Sequence, residues 1–545
     1  MTKQIIYIAD YFVEHILGGG ELANEEVINY FLEKGIKVEK KRSHEITKEY
    51  ILDNFDKFFI IANFVNLNSN LLSFFKNTNY IIYEHDHKYC KTRNPSVFKN
   101  YLVPHESLVN KAFYKHAKAV LCQSKLHAEV VAKNLLLDNI VSLGSSLWDQ
   151  QTIDYIESLC NISKKKQVSI LNSTNKIKGT HEAKRYCEKN NINYELIGSS
   201  DYYTFLKQLS QNESLVFFPS TLESFCRLVV EARMLGCKLI TNENVGATSE
   251  DWFDKKGEEL IGFIRQKQKS VLETFVNIIE NKEITFIKPP KLPKISIVTS
   301  VYKAEMHIKG FLDDITKQTI FDNCELILIN ANSPENEKEI ITKYLKKYDN
   351  IIYKELDKDP GVYGVWNLGI EISSGDYITN ANVDDRRSHH QLEILARELV
   401  NSKNIDLVYS QSFITEIPNE TFNNNSSKNN VYNVEKFTKE NMIKCLPGCM
   451  PLWKKSLHKK AGYFNDNYKH AGDWEMWLRA VRNGLNFKKI EGVHGLYYMN
   501  PEGLSTSTKL EPTKRIEENQ IFFEYKDIFG NKNFNKFKTY FSNII

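Results

Sequence analysis

The sequence predicts an α/β protein built from more than one domain. Patterns typical of strands and helices alternate from the first residues onward, as in parallel sheets joined by helical connections. A chain of 545 residues is also too long for a single hydrophobic core. Three prolines within residues 289–293 cannot continue a helix, and a new strand pattern starts directly after them. We therefore expect a linker at 286–293 between modules at 1–285 and 294–510, followed by a helical tail at 511–545.

The composition excludes several classes of protein. Lysine and arginine number 72 against 68 acidic residues, and the net charge of +4 is too small for a typical nucleic-acid-binding protein. The nine cysteines form no Cys-x-x-Cys pair, which favours reduced thiols and a cytoplasmic location. No apolar run approaches the roughly 20 residues that cross a bilayer, and Lys3 leads into a strand pattern rather than a signal peptide. The aromatic and basic tail predicts either a packed helix or a peripheral contact with the inner face of a membrane.

The first module opens with a strand over residues 4–9, a glycine-rich turn and an amphipathic helix. A glycine turn between a strand and a helix lets backbone N–H groups approach an anion, although Gly19 and Gly20 could also serve the turn alone. A later strand is followed by Glu84-His85-Asp86-His87, which could bind a metal or form the polar edge of an active site.

A second α/β region begins near Val168, and its first loop carries Lys178. Glu223 follows a strand directly, and Glu231 stands eight positions later. This spacing predicts that both glutamates lie on nearly the same face of one helix, because 3.6 residues make a turn. The face is either part of a site or simply solvated.

These motifs together resemble the GT-B glycosyltransferases of family 4. The matching segments are Gly19-Gly20-Glu21, Lys178-Gly179, Pro219-Ser220, Glu223 with Glu231, and Gly246 with Glu250. The resemblance implies two Rossmann-like lobes and metal-independent, retaining sugar transfer, with Glu223 catalytic and Gly19, Gly20, Lys178 and Glu231 holding the donor. Ser224 and Cys226 depart from the family, which usually has glycine there, and the arginine expected ahead of the basic loop is not evident.

The second module is organised around residues 375–387, a short buried strand that runs into a carboxylate-bearing loop. Asn382, Asp384 and Asp385 fall at the carboxyl end of this strand, the edge where open α/β sheets bind ligands. Carboxylate oxygens beside substrate phosphates suit Mg²⁺ or Mn²⁺. Arg386 and Arg387 follow and could clamp a phosphate or open a solvated helix. Further on, the polar, low-complexity residues 419–430 predict a mobile loop.

A second carboxylate stands at the start of a predicted helix. Asp473 precedes Trp474, Trp477, Leu478 and Val481, which repeat at helical spacing as a core face. Aspartate is a favoured N-cap residue, and the same position could present a general base at a surface.

This half resembles the GT-A glycosyltransferases of family 2. The matching segments are Ile297–Tyr302, Ile329–Ser333, Asp359–Tyr363, Trp366–Gly369, Asn382–Asp384 and Gly472-Asp473. The resemblance implies a mostly parallel nucleotide-binding sheet and inverting transfer with Asp473 as base. It further implies a divalent metal, Mn²⁺ or Mg²⁺, on Asp384 and His494, and a donor site formed by Thr299, Tyr302, Asn330, Asp359, Asn382 and Asp384. Asn330 and Asn382 depart from the family by replacing acids.

We therefore expect a two-module glycosyltransferase that moves sugars from nucleotide-sugar donors to a glycan or lipid-linked acceptor in the synthesis of a polysaccharide or surface glycan. Both modules could be catalytic. In the alternative, only the second is catalytic and the first binds the acceptor or a partner. A third hypothesis is a nucleotide-sugar-binding scaffold without turnover, because Asn330 and Asn382 each lack a charge.

Overall fold

The computed structural model describes residues 4–199, 201–427 and 430–542. The chain divides into two compact units, Met1–Pro290 and Lys291–Ile545, which we call unit 1 and unit 2. Both contain parallel β-sheet flanked by helices, so the predicted α/β class is confirmed. Within the described residues, no helix combines the length and apolar character needed to cross a membrane.

The first lobe of unit 1 is a six-stranded sheet in which every pairing is parallel. Apart from the charged edge strand at Lys37–Arg42, its strands are short apolar runs that are buried on both faces, as a parallel sheet covered by helices requires. The strand order is β2-β1-β3-β4-β5-β6 for β1 (Gln4–Ala9), β2 (Lys37–Arg42), β3 (Phe58–Ile61), β4 (Asn79–Glu84), β5 (Val120–Cys122) and β6 (Ile140–Ser142). The helices of this lobe are α1 (Gly19–Glu33), α2 (Lys48–Asp53), α3 (Lys111–His116) and α4 (Lys125–Leu135).

The second lobe of unit 1 contains a smaller parallel sheet. Its strand order is β10-β9-β7-β8 for β7 (Lys165–Leu171), β8 (Tyr194–Ile197), β9 (Asn212–Phe217) and β10 (Lys238–Thr241). The helices are α5 (Gln150–Leu159), α6 (Thr180–Lys189), α7 (Tyr202–Ser210), α8 (Arg227–Met234) and α9 (Gly257–Ile279). Helix α9 joins the lobes, because Leu260 and Ile264 lie in the core of the second lobe whereas Val271 and Phe275 lie in that of the first.

Unit 2 is built on one nine-stranded sheet. The strand order is β13-β12-β11-β14-β18-β16-β19-β15, with β17 on β16, for β11 (Ile295–Val301), β12 (Cys324–Asn330), β13 (Ile351–Glu355), β14 (Tyr377–Asn380), β15 (Arg386–Arg387), β16 (Leu407–Thr415), β17 (Val431–Tyr432), β18 (Leu452–Lys454) and β19 (Phe487–Tyr498). The helices are α10 (Glu305–Ile315), α11 (Glu337–Leu345), α12 (Gly361–Ile372), α13 (Gln391–Asn401), α14 (Leu457–Ala461), α15 (Gly472–Arg482), α16 (Glu511–Glu524) and α17 (Lys526–Ser542).

Only part of the unit 2 sheet is parallel. Strands β13, β12, β11 and β14 pair in parallel and bring their carboxyl ends to one edge. Beyond β14 the direction reverses: β18 pairs antiparallel with both β14 and β16, and only β16 and β19 run parallel. The expectation of a mostly parallel sheet therefore holds for its first half, and the second half is mixed.

The tail of unit 2 packs as helices on the core of that unit. Ile521 and Phe522 of α16, and Tyr525 directly after it, are buried in the same cluster as Trp474 and Trp477 of α15. Of the predicted loop at 419–430, Lys428 and Asn429 lie outside the described residues. Within the rest of it, Asn419 accepts a hydrogen bond from Arg386.

Candidate active site

The carboxylates that follow β14 lie in a tight loop at the carboxyl end of the parallel strands. The Oδ2 of Asp384 accepts a hydrogen bond from Asn500 Nδ2 at 3.0 Å. Asp385 is buried and accepts from the Tyr498 backbone N–H at 3.1 Å and from Asn382 Nδ2 at 3.1 Å. Burial, together with the charge of Asp384, raises the pKa of Asp385 to about 8. Asp384 is therefore the more accessible of the two carboxylates.

The two arginines after this loop are buried and form β15. Arg386 donates to the carbonyls of Val383 and Asp385 at 2.9 and 2.7 Å, and Arg387 donates to the carbonyl of Asn380 at 2.6 Å. The expectation of a solvated helix start is wrong, because α13 begins only at Gln391. The guanidinium groups hold the loop by supplying donors to carbonyls at and beyond the end of β14.

The family resemblance implies His494 as a second metal ligand, and this residue lies on β19. The imidazole of His494 lies with Nε2 2.9 Å from the carbonyl oxygen of Glu491. Its own carbonyl accepts from the Ser388 N–H at 2.8 Å. Asn500, six residues further on, donates from Nδ2 to Asp384 Oδ2.

Asp473 lies in the first turn of α15 and is partly buried. Its Oδ1 accepts from the backbone N–H of Trp474 at 2.8 Å and from the hydroxyl of Tyr363 at 3.4 Å, and the Cys445 thiol donates to Oδ2 at 3.6 Å. Burial raises the pKa of Asp473, although these hydrogen bonds favour its charged form. The helix is capped at Ala471, so the alternative of Asp473 as the N-cap residue is wrong.

Gly472 allows the close approach of Tyr363 to this helix start. A Cβ atom at position 472 would lie 2.7 Å from the Tyr363 ring, closer than real contacts allow. The Tyr363 ring also stacks at 5.9 Å on Phe464. A glycine at 472 therefore lets α12 deliver a hydroxyl to Asp473.

A pair of tyrosines connects the surroundings of the two carboxylates. The rings of Tyr432 and Tyr497 lie 6.4 Å apart. Tyr432 is 47% exposed, but desolvation of its hydroxyl raises the pKa to about 12, and the charge of Asp473 adds a smaller contribution. Burial also raises the pKa of Tyr497, with further contributions from the charges of Asp385 and Asp384. Asp473 therefore influences the pKa of Tyr432, and Asp384 influences that of Tyr497, the neighbouring ring.

The remaining residues expected at the donor site lie at the ends of β11 and β12 and ahead of α12. Tyr302 is exposed, whereas Thr299 is fully buried inside β11. The Asn330 amide bonds Tyr353 Oη at 3.1 Å and the Ser333 N–H at 2.8 Å. Asp359 is exposed and accepts from the N–H of Gly361, the first residue of α12.

Unit 1 contains a separate cavity of about 520 Å³ that is lined by residues of both its lobes. Its walls bring together several residues singled out above and one that was not, namely Gly19, Gly20, His85, Lys178, Glu223 and Arg227. Lys178 Nζ lies 2.9 Å from Glu223 Oε1. Burial opposes the charged form of Lys178, but the neighbouring Glu223 raises its pKa.

Glu231 does not share a helix face with Glu223. Helix α8 begins only at Arg227, and Cys226 ahead of it has a φ of +78° in the left-handed region. Glu223 lies in the preceding loop, and its N–H donates to the carbonyl of Asn244 at 2.9 Å. Because the backbone turns at Cys226, the eight-residue spacing is not helical.

The carboxylate of Glu231 is buried behind the cavity wall. Its Oε1 accepts from Trp148 Nε1 at 2.9 Å, from Tyr202 Oη at 2.5 Å and from Arg227 Nε at 3.4 Å. Arg227 is a cavity residue that sequence reasoning missed, because that reasoning sought an arginine ahead of the basic loop. Its side chain lies against Gly19, where an added Cβ would be 3.2 Å from Arg227 Cδ.

His85 lines the same cavity as a neutral imidazole. Gln123 Nε2 lies 2.8 Å from its Nδ1, and Asn24 Oδ1 lies 2.7 Å from its Nε2. Because the amide of Gln123 donates, the ring proton is on Nε2 and is donated to Asn24. Burial and the charge of Lys88 lower the pKa of His85 to about 3. Within the part of the chain that the structure describes, no three His, Cys, Asp or Glu side chains cluster as a metal site.

Residues 296–460 match the family described as Glycosyl transferase family 2. The second half of the chain therefore contains a glycosyltransferase family 2 domain. This confirms the resemblance stated for that half. The matched range contains the carboxyl ends of β11, β12 and β14 and the Asp384 loop, and it ends before Asp473.

Several curated proteins are similar to part of the chain. GgaB, a minor teichoic acid biosynthesis protein of Bacillus subtilis, is 30% identical over 223 residues, which are 40% of this chain and 24% of GgaB. The uncharacterized glycosyltransferase MJ1057 of Methanocaldococcus jannaschii is 26% identical over 201 residues, 36% of this chain and 68% of that protein. The chain thus spans about a quarter of the length of GgaB.

Two solved structures also align with part of the chain. S. aureus TarS 1-349 in complex with UDP-GlcNAc aligns with a TM-score of 0.34 and 17% identity, over 43% of this chain and 71% of that chain. The mannosyltransferase PcManGT from Pyrobaculum calidifontis, in complex with GDP-Man and Mn²⁺, aligns with a TM-score of 0.33 and 14% identity, over 44% and 64%.

Proposed function

We propose that unit 2 is an inverting, metal-dependent glycosyltransferase that moves a sugar from a nucleotide-diphosphate donor to a hydroxyl of a glycan or lipid-linked acceptor. The observation that carries this proposal is the family 2 match over residues 296–460, which includes the Asp384 loop at the edge of the parallel strands. In open α/β sheets, ligands bind outside this edge.

The residues around Asp384 fit a hard divalent cation. Asp384 is accessible and supplies a carboxylate oxygen, whereas Asn500 and Asn382 direct their amide NH₂ groups at Asp384 and Asp385 and would have to turn before an amide oxygen could bind the cation. Mg²⁺ and Mn²⁺ are commonly held by one or two carboxylates plus substrate phosphates, so no cage of three acidic residues is needed. When bound, the cation would neutralise the charge of the departing diphosphate.

Asp473 is the general base in this proposal. The acceptor hydroxyl would pass its proton to a carboxylate oxygen of Asp473 while attacking the sugar carbon from the face opposite the diphosphate. Tyr363, Cys445 and the Trp474 N–H bond both oxygens and so restrict the orientation of the carboxylate. A single displacement of this kind inverts the anomeric centre.

We place the donor nucleotide along the ends of β11 and β12. Tyr302 is the exposed aromatic side chain there, while Asn330 offers an amide and Asp359 a carboxylate. Thr299 would act from beneath the surface, because it is fully buried. Asn330 is engaged with Tyr353 and Ser333, so its contribution is to shape the loop as well as to hydrogen-bond the donor.

The printed name of GgaB suggests an acceptor class. Because that relative is named for teichoic acid biosynthesis, we propose a surface polysaccharide as the product. The nine cysteines are all free thiols, which supports a cytoplasmic reaction, and the acceptor could be presented at the inner face of a membrane.

A panel of sugar nucleotides assayed with Mn²⁺ for release of nucleoside diphosphate tests the proposal. We expect Asp473→Asn to lower turnover by about 10²–10⁴-fold, the usual contribution of a general base, while thermal stabilisation by the donor is kept. Asp384→Asn should lose the Mn²⁺-dependent part of that stabilisation. Asp466→Asn, an exposed carboxylate seven residues before Asp473, is the matched control.

Two results would contradict the proposal. If Asp473→Asn kept full turnover, Asp473 could not be the general base. Donor binding without any release of nucleoside diphosphate by the native protein would instead favour a scaffold without turnover.

The cavity of unit 1 supports a second candidate function. We propose a GT-B-type site of the family 4 kind there, with Gly19, Gly20 and Lys178 at a donor diphosphate and Glu223 at its sugar. The alternative, a module that binds the acceptor or a partner, draws support from Glu231, whose carboxylate is already bonded to three side chains.

A further inference from the structure

A carboxylate from the C-terminal tail holds the segment that leads into α15. Glu517 Oε1 accepts from the backbone N–H of Lys469 at 2.7 Å, and Oε2 accepts from those of His470 and Ala471 at 2.8 and 3.0 Å. Successive N–H groups that converge on one anion form a nest. Hydrogen bonds to a charged acceptor are also roughly twice as strong as neutral ones.

The helix start needs such a partner because it lacks a side-chain cap. The N-cap residue is Ala471, which has no side-chain oxygen to accept a backbone hydrogen bond. Asp473 follows two residues later, so any shift of residues 469–471 moves its carboxylate. Glu517 therefore supplies from α16 a fixation that the local sequence does not provide.

The chain that follows α16 packs against α15 through other contacts. Tyr525, the residue directly after α16, donates from Oη to Glu475 Oε1 at 2.6 Å. The Trp474 ring stacks on Phe529 and Phe541, with centroids 6.2 Å away in both cases. The carboxylate of Glu517 thus projects from a helix whose C-terminal end leads into residues packed on α15.

We propose that Glu517 is a positioning residue for the general base, acting through the backbone of residues 469–471. This inference rests on the proposed role of Asp473. A catalytic group displaced by about 1 Å can lose on the order of 10²-fold in rate, so a fixed helix start has a direct kinetic value. Residue 517 lies outside the range matched by the family, 296–460.

The test compares Glu517→Gln with Asp527→Asn in the full chain. Glutamine keeps the volume of the side chain, but it has one acceptor oxygen and turns an NH₂ group toward the N–H groups. We expect kcat to fall by about 10–100-fold in Glu517→Gln, with the KM of donor and acceptor unchanged, because misplacement affects the chemical step. Asp527→Asn breaks a contact between the tail and the far end of α15 and should keep kcat.

Amide hydrogen exchange provides a second measurement that does not depend on activity. In the native protein, the N–H groups of Lys469, His470 and Ala471 should exchange slowly, and Glu517→Asp should protect them better than Glu517→Gln does. Fast exchange of these three amides in the native protein would overturn the proposal, even if Glu517→Gln failed to fold. So would an unchanged kcat in Glu517→Gln or an equal loss in Asp527→Asn.

The outcomes separate this inference from the proposed function. If the amides of residues 469–471 exchanged slowly but the native protein showed no metal-dependent transfer, the contact with Glu517 would be supported and the proposed transferase function would be rejected. Active protein with Asp473→Asn fully functional would reject Asp473 as base, and with it the catalytic role of Glu517.

Discussion

At the scale of single residues, the environment of Asp473 determines how it titrates. Burial raises its pKa, while three hydrogen-bond donors favour its charged form. An aspartate base works only when it is unprotonated, so activity should rise as the pH increases through this pKa. The acid limb of kcat/KM is therefore expected above the ordinary aspartate value of about 3.9.

Removing one donor should move this limb in a defined direction. Cys445→Ala deletes the thiol that bonds Asp473 Oδ2, so the charged form loses support and the pKa rises further. We expect the acid limb to shift upward by up to about one pH unit, since a hydrogen bond contributes about 0.5–1.5 kcal/mol and 1.36 kcal/mol is one unit. The pH profile of kcat/KM measures it, with Cys449→Ala as control; a downward shift would contradict the assignment.

Some of the candidate site residues were predictable from the sequence, and others were not. Asp384 and Asn382 follow a buried strand, so their place at the sheet edge could be read directly from the apolar run. Glu231 could not, because its carboxylate is taken by Trp148 and Tyr202, which are distant in sequence. The one signal for the left-handed conformation of Cys226 was that the resembled family usually has glycine at this position, because this conformation costs most other residues roughly 1–2 kcal/mol.

At the scale of elements, Glu325 connects the first strands of unit 2. On β12, its carboxylate accepts from Lys294 Nζ at 2.7 Å, from Ser296 Oγ at 2.5 Å, and from both the N–H and the hydroxyl of Ser374 at 2.6 Å. Although burial opposes its charge, these bonds lower the pKa of Glu325 to about 2. It therefore joins β11, β12 and the turn before β14.

Glu325→Gln should destabilise the protein and change its acid sensitivity. We expect a loss of about 1–3 kcal/mol at pH 7, because donors are left unpaired. With a pKa of about 2 when folded and about 4.3 when unfolded, Glu325 stabilises fully above pH 4.3, and its contribution is lost as the pH falls toward 2.

Denaturant unfolding of the full chain at pH 7 and pH 3 measures the effect. The stability difference between the variant and the native protein should narrow at the lower pH. Glu339→Gln, which alters an exposed carboxylate on α11, is the control and should show neither change. A difference that widened at pH 3 would count against this account of Glu325.

The parallel strands could be predicted from the sequence, but the strand pairing in the mixed half of the unit 2 sheet could not. Runs such as Leu326–Ile329 are apolar on both faces and so indicate buried parallel strands. One of the partners of β16 is β19, and this pairing places Leu407 beside Phe487, eighty residues further along the chain. Pairing over that separation depends on tertiary packing, which no local pattern encodes.

At the scale of the whole molecule, two compact units carry two candidate sites of different chemistry. The site in unit 2 is proposed to need a divalent cation, whereas the cavity in unit 1 pairs Lys178 with Glu223 and is proposed to work without one. Chelation should therefore separate any two transfer activities.

EDTA should abolish the transfer that depends on Asp473, and added Mn²⁺ should restore it. Glu223→Ala should leave this Mn²⁺-dependent release of nucleoside diphosphate unchanged at saturating acceptor, because residues without shared partners act independently. Any transfer that survives EDTA should disappear in Glu223→Ala; if it persists, unit 1 is not its source. Native transfer that ignores EDTA entirely would contradict the metal in unit 2.

The stacking of Phe529 and Phe541 on Trp474 has a practical consequence for protein production. A shortened polypeptide that ends near residue 510 would retain Asp384 and Asp473. It would, however, expose a large apolar surface on α15, the helix that carries Asp473. Exposed apolar surfaces of this kind promote aggregation. Purification tags are therefore safer at the other end of the chain, and trimming by proteases near the carboxyl terminus should be checked before weak activity is blamed on the chemistry.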